Sequence, residues 1–278
     1  MIILPKNYNY CSAFLTFACN MKCGYCINKI DRLYQYSMMP APDWVKGLNR
    51  LELEDVPITL SGGEPTLHPN FYQIIKKIHK PMDLLTNGQF NVRYFMDNVG
   101  SKKFKRDAPY ASIRFSYHPG YTNLYKLLRK ARFMQKRGYS VGVWAIAHPD
   151  YIADVMFAKK IAETEFKIDF RIKEFLGWYN ARLYGTYKYP QALDKRPKKC
   201  ICKPSELLIA PDGRLFRCHR DLYIGSNSYG HILNGIIKLP EDFMKCDKMG
   251  VCNPCDLKMK FDRFQVSGHC SVEIKEIK

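Results

Sequence analysis

Ala13-Phe14-Leu15-Thr16-Phe17-Ala18-Cys19-Asn20-Met21-Lys22-Cys23-Gly24-Tyr25-Cys26 runs an apolar segment into three cysteines spaced over eight residues. Residues 13–18 read as a strand, which places the cysteines in a loop at its C-terminal end. Three thiols this close cannot form a self-contained disulfide framework, and a tetrahedral zinc site would need a fourth ligand from elsewhere. They suit an iron–sulfur cluster that lacks one of its usual four cysteines. The missing ligand would leave one metal position open, as catalytic rather than structural metal sites do.

Outward from this loop, strands and helices alternate. The segment 41–53 fits a helix, with Pro42 near its start and Val45, Leu48 and Leu51 at helical spacing. Val56 to Leu60 has strand character and ends in Ser61-Gly62-Gly63-Glu64-Pro65. A helix over 70–80 carries Phe71, Ile74, Ile75 and Ile78 on one face, and the strand 82–86 closes at Asn87-Gly88. A short helix is expected over 91–99, then a strand over 111–117 that ends at His118-Pro119. Thr122 is expected to N-cap the helix 123–137, whose buried stripe is Leu124, Leu127, Leu128, Ala131 and Met134, with its basic residues mainly on the solvated side. A strand over 139–147 ends at His148, a helix spans 151–162, and a strand over 166–175 alternates Ile168, Phe170 and Ile172 with polar residues.

Six such alternations argue a parallel sheet with helical crossovers. A full eight-unit barrel takes ~250 residues, so about six units fit. The expected fold is α/β, a partial (β/α)6 TIM-type barrel with a small C-terminal cysteine-rich β-hairpin/helix module. The expected domains are 1–178 for the barrel, 179–199 for a connector with a short helix, and 200–278 for the module. Chemistry in such barrels sits at the C-terminal ends of strands, where the cysteine loop, Gly62 to Pro65, Thr86-Asn87, Ser116 to His118 and His148 all fall.

The bulk numbers are those of a globular chain of 278 residues, 46% hydrophobic and 25% charged. No apolar run approaches the ~20 residues of a membrane span, and Met1 to Pro5 is too short for a signal peptide. The chain therefore reads as a soluble cytoplasmic monomer, and its eleven cysteines as metal ligands rather than disulfides. A net charge of +18 favours an anionic partner, although the basic runs 102–106 and 195–199 lack the interleaved aromatics of a nucleic-acid motif.

The octet Cys19 to Cys26 resembles the CxxxCxΦC signature of the radical S-adenosylmethionine (radical SAM) superfamily, with Tyr25 as the aromatic residue. Gly62-Gly63-Glu64-Pro65, about 36 residues on, matches that family's GGEP motif. The resemblance implies a [4Fe–4S] cluster on Cys19, Cys23 and Cys26 with an open iron for the amino and carboxylate groups of SAM. It implies reductive cleavage of SAM to a 5′-deoxyadenosyl radical, and a reductant protein such as flavodoxin or ferredoxin. It also implies that Gly62, Gly63, Glu64 and Pro65, with Thr86, Asn87 and Ser116, surround SAM, and that Tyr25 lies against the adenine. Arg171 or Lys173 is a further candidate, for the SAM carboxylate.

Beyond Gly177 the alternation stops, and seven cysteines follow residue 199. Two apolar runs around Pro211-Asp212-Gly213 read as a hairpin, with Cys200 and Cys202 before it and Cys218 at its end. The pattern resembles the SPASM and twitch auxiliary-cluster modules of radical SAM enzymes. It implies one auxiliary [4Fe–4S] cluster on Cys218, Cys252, Cys255 and a member of the Cys200/Cys202 pair, with a second cluster open through Cys246 and Cys270. A zinc ribbon is the alternative.

Two enzymatic readings follow, modification of a peptide or protein and oxidation or rearrangement of a small anionic metabolite such as a sugar, cyclitol or nucleotide. A zinc-containing nucleic-acid-binding protein is the non-enzymatic alternative. Only 18 residues precede Cys19, which weighs against a separate leader-binding domain in front of it.

Overall fold

A computed structural model describes residues 1–30, 32–185, 196–249 and 272–276. The N-terminal half runs β1 (Ile2–Ile3), β2 (Tyr10–Thr16), α1 (Ile27–Ile30), α2 (Ala41–Asn49), β3 (Leu51–Glu52), β4 (Ile58–Gly62), α3 (Phe71–Lys77), β5 (Met82–Thr86) and α4 (Val92–Asn98). It continues as β6 (Ile113–Tyr117), α5 (Leu124–Gln135), β7 (Val141–Ala147), α6 (Ile152–Thr164) and β8 (Phe170–Glu174). Then come β9 (Gly177–Tyr179), β10 (Arg182–Tyr184), β11 (Lys198–Pro204), β12 (Glu206–Ile209), β13 (Leu215–Phe216), α7 (His219–Ile224), β14 (Met244–Met249) and β15 (Val272–Glu276).

One eight-stranded sheet organises the chain, in the order β13-β12-β2-β4-β5-β6-β7-β8. The pairs from β12 through β8 are parallel, and only β13 runs antiparallel, to β12. The six expected strands are present in sequence order, the first five each followed by helix. The hairpin around Pro211-Asp212-Gly213 is present too, but it extends this sheet beside β2 instead of standing apart. A separate antiparallel sheet, β14-β11-β15, holds Cys200, Cys202 and Cys246.

Side chains alternate across a strand, so each strand here has a helix-facing and an inward face. Ala13, Leu15, Leu60, Leu84, Phe115 and Val143 belong to the main core with the helices. The expected α5 stripe of Leu124, Leu127, Leu128, Ala131 and Met134 is buried. The inward face is polar. Ser12 Oγ lies 2.6 Å from Ser61 Oγ. Asp83 is fully buried, with its carboxylate accepting from Arg106 Nε and Nη2 (both 2.9 Å) and from Arg114 Nη2 (3.0 Å). Tyr110 lies under both guanidinium groups at 5.0 Å.

Three local expectations need correction. The helix begun at residue 41 stops at Asn49, because Leu51–Glu52 pairs with Ile2–Ile3 as a short strand. Asn123, not Thr122, caps α5, since its side chain accepts from Lys126 N at 3.0 Å. The connector opens with a β9–β10 hairpin, in which Asn180 and Ala181 take the left-handed conformation its turn requires, and residues 186–195, the stretch left for the expected short helix, lie outside the described residues. Lys130, expected on the solvated side of α5, donates instead to the carbonyls of Gly88 (2.7 Å) and Phe90 (3.1 Å) and so braces the loop after β5. Among the described residues no helix is long and apolar enough to cross a membrane.

Removing the carboxylate of Asp83 strands two buried guanidinium groups. Asp83→Ala is expected to cost about 3–5 kcal/mol of folding stability, seen as a lower urea midpoint.

Candidate active site

Backbone contact builds the site. Thr16 ends β2, and its hydroxyl accepts from Ala18 N at 3.0 Å, which turns the chain into the cysteine loop. The segment after β4 is fastened to that turn by Gly63 N to Thr16 O and Glu64 N to Ala18 O, both 2.8 Å. A Cβ on Gly62 would sit 2.1 Å from Thr16 O, and one on Gly63 would sit 2.3 Å from Ala18 O. Gly62 also has φ +134°, a backbone region that side chains disfavour. The paired glycines are therefore needed for strand-end packing, whatever else they contact.

Cys19 is exposed, Cys26 half-buried and Cys23 buried. All three line one cavity of about 300 Å³. Cys19 Sγ accepts from Met21 N at 3.4 Å, and Asn87 Nδ2 approaches it at 4.0 Å while donating to Asn20 Oδ1 at 2.7 Å. Burial, followed by the neighbouring thiols, pushes the Cys23 thiol up to about 11, and burial raises Cys19 as well. At neutral pH these groups are protonated, so metal loading must release protons. The donor set fits an iron–sulfur cluster: three soft thiols on one wall of a cavity, with Asn87 beside one of them. Among the described residues, no three His, Cys, Asp or Glu side chains converge to hold a single metal ion.

Several of the residues singled out in the sequence meet here. Gly62, Gly63, Thr86, Asn87 and Ser116 share the cavity wall with the cysteines, and Tyr25 lies at its edge. Glu64 and Pro65 do not line it. Glu64 is buried, and its Oε1 accepts from Thr86 Oγ1 (2.7 Å), Thr66 Oγ1 (2.6 Å) and Thr66 N (3.2 Å), while Oε2 accepts from Asn87 N (2.7 Å). Its role is to lock the ends of β4 and β5 together. Burial raises its carboxyl above the usual range, and these hydrogen bonds pull it back. Arg171 is also elsewhere. It pairs with Asp169 at 2.7 Å and donates to Pro109 O, on the part of β8 away from the cavity.

The structure adds Asn28 and Tyr223, which sequence reasoning passed over, and gives partners to Tyr25, His118, His148 and His219. Asn28 donates to Gly62 O at 2.7 Å and accepts from Tyr223 OH at 2.8 Å, tying the cysteine loop to both β4 and α7. Tyr223 and His219, both on α7, line the cavity, and His219 Nδ1 lies 3.1 Å from the buried carboxylate of Glu206. Tyr25 OH lies 3.1 Å from His118 Nδ1, and its ring stacks on His148 at 5.0 Å. His118 is only part-covered at its surface, yet the surrounding protein strips enough water to lower its pKa to about 4.

In the second cysteine set, Cys200 and Cys202 share a face of β11, and Cys246 stands opposite Cys200 in β14. The Cys202 thiol is held protonated, chiefly by its hydrogen bond with Cys246, and that same bond favours thiolate on Cys246. Arg217 is buried beside them, with Nη1 3.8 Å from Cys202 Sγ and Nε 2.9 Å from Asp221 Oδ2, and Cys218 lies nearby. A buried guanidinium beside cysteines complements the negative charge of thiolates. Cys252, Cys255 and Cys270 lie outside the described residues.

Residues 14–98 match the family model described as the radical SAM superfamily. A GTP 3′,8-cyclase of Syntrophomonas wolfei is 26% identical over a region covering 43% of this chain and 47% of its own. The chain thus spans about half the length of the curated relative it matches. The solved structure of anSMEcpe with bound AdoMet and a peptide superposes with a TM-score of 0.55 at 15% identity, covering 84% of this chain and 78% of that one. A second anSMEcpe structure with bound AdoMet gives 0.53 at 16% identity, with the same coverage. These structures share the fold. The family model and the cyclase support the radical SAM superfamily.

Two substitutions test the site's internal logic. Glu64→Gln places an amide NH2 among donors and is expected to cost about 1–3 kcal/mol, read from the denaturation midpoint. Because the folded state holds His118 at about 4 against 6.5 when free, stability should be full above pH 6.5 and decline as pH falls toward 4. Urea midpoints across that range should show the slope, and His118→Gln should flatten it.

Proposed function

We propose that this chain is a radical SAM enzyme that cleaves S-adenosylmethionine reductively and uses the 5′-deoxyadenosyl radical to take a hydrogen atom from a peptide or protein side chain. The observation that carries this reading is the convergence of Cys19, Cys23 and Cys26 with Gly62, Gly63, Asn87 and Ser116 on one cavity wall. Those three cysteines would hold a [4Fe–4S] cluster. When bound, the cluster supplies one electron to SAM and an open iron for its amino and carboxylate groups.

The chain's own residues do the rest. Main-chain groups at Gly62 and Gly63 and the side chains of Thr86, Asn87 and Ser116 hold the methionyl and ribose portions. Glu64 fixes Thr86 and Asn87 from behind. The ring of Tyr25, braced by His118 and His148, seats the adenine. Phe14, Ile146 and Tyr223 provide apolar wall that keeps water from the radical.

For the C-terminal part, we assign an auxiliary [4Fe–4S] cluster to Cys218, Cys252 and Cys255 with Cys202 of the Cys200/Cys202 pair. The contact of Cys202 with Cys246 makes Cys246 a competing ligand. The net charge of +18 suits docking of an acidic electron-transfer protein, a flavodoxin or ferredoxin. The peptide class is supported by anSMEcpe, which has the same fold and is seen with a peptide. One observation favours a small metabolite instead: the sequence relative is a GTP 3′,8-cyclase.

Anaerobically reconstituted, reduced protein is expected to convert SAM to 5′-deoxyadenosine and methionine. Cys23→Ala should lower the rate by more than about 100-fold together with the bound iron. Absence of cleavage after full iron and sulfide loading would overturn the radical SAM reading.

A further inference from the structure

A second chamber of about 430 Å³ opens beside the cysteine-lined cavity and shares Tyr25 and Ile27 with it. Its walls are mostly aromatic. Tyr25 stacks on His148 and lies 6.1 Å from Tyr151, while Phe175 and Tyr179 stand edge-on to His148 at 4.8 Å. Trp178 also faces the chamber and is half-exposed.

The charge of this chamber is unlike that of the chain. The sequence has 44 Lys and Arg residues, yet none is among the described residues that line the chamber. The single acidic group there is Asp150, whose carboxylate accepts from Tyr179 OH and stays half-exposed. His148 is buried and its pKa is lowered, so the ring against Tyr25 is neutral. Aromatic faces present negative charge to a ligand, and a carboxylate adds more. A phosphate or carboxylate ligand would find no cation to meet it among the described lining residues. A purely apolar ligand would cover Asp150 without replacing its water. An organic cation satisfies both surfaces.

We propose that this chamber binds the positively charged end of the substrate, an alkylammonium or guanidinium group, between the aromatic walls and Asp150. The reacting carbon is then directed past Tyr25 into the cysteine-lined cavity. This substrate class is the reverse of the one implied by the net charge of +18. The assignment takes its direction toward the cysteines from the radical SAM reading. The chamber's preference for a cation stands apart from it.

Trp178 reports on the chamber, because Trp44 and Trp144 are buried. The probes are Gly-Gly-Lys-Gly-Gly, capped at both ends, with its ε-acetylated form, and cyclohexylammonium with cyclohexanol. Full-length reconstituted protein is titrated with each while Trp178 emission is recorded. At least one cation should saturate at millimolar concentration or below, and its neutral counterpart should bind at least about tenfold more weakly. Asp150→Asn should erase that preference while leaving the weaker neutral binding, a pattern that simple loss of structure would not give. Saturation by the peptide assigns the cation to a lysine-type side chain, and saturation by cyclohexylammonium alone assigns it to a small amine. Equal binding of neutral and charged probes, or no saturation by either cation up to about 10 mM, overturns the proposal. Formation of 5′-deoxyadenosine in the same samples tests the radical reading independently, so either idea can fail alone.

Discussion

The backbones of Gly62 and Gly63 lie against those of Thr16 to Ala18 so closely that no Cβ fits between them. Two hydrogen bonds of 2.8 Å hold them there. Everything above the sheet depends on this contact. It fixes where β2 stops, and so where the cysteine loop begins. It also sets Glu64 at a depth from which its carboxylate reaches the end of β5. Thr86, Asn87 and, through Asn87, the approach to Cys19 are in turn placed by that carboxylate. A side chain at either glycine would move three strand ends at once.

Charge is partitioned along the inward face of the sheet. Asp83, Arg106 and Arg114 form a closed, buried ion cluster. It is neutralised internally except for one extra positive charge, and aromatic rings cover it. Toward the C-terminal ends of the strands, the cavity wall carries thiols, amides and hydroxyls, with no Lys or Arg among its described lining residues. Buried charge is costly unless paired, so pairing it lower in the sheet leaves the cavity to neutral groups. The +18 of the chain is therefore a property of its outer surface and says little about either cavity.

What the sequence made readable follows the range of the interactions involved. Period-two and period-3.6 patterns are local, and the six strands with the helices between them emerged from them with ends shifted by a few residues. Cys19, Cys23 and Cys26 are close in sequence and needed no tertiary information. The direction of the Glu64 side chain was not legible, because a motif gives position, not direction. The carboxylate points away from the cavity, toward partners 2 to 23 residues distant. The pairing of Arg171 was hidden for a related reason: alternation names a face of β8 but not the level along it, and Asp169 holds the guanidinium low. Asn28, Tyr223 and Lys130 left no local trace at all. Each acts by reaching a residue at least 34 positions away.

The hairpin after β11 shows how the two cysteine sets are mechanically joined. Its first strand, β12, pairs with β2, the strand that feeds the cysteine loop. Its second, β13, runs into Cys218, which stands at the N-terminus of α7. Within one turn and a half that helix presents His219 and Tyr223 to the cavity. Tyr223 then reaches Asn28 in the cysteine loop, and Leu222 O accepts from Tyr36 OH. The helix α7 thus links Cys218, at its N-terminus, to the cavity that Cys26 also lines. The C-terminal segment is thus a structural part of the first site, and the sheet would lose one wall of its cavity without it.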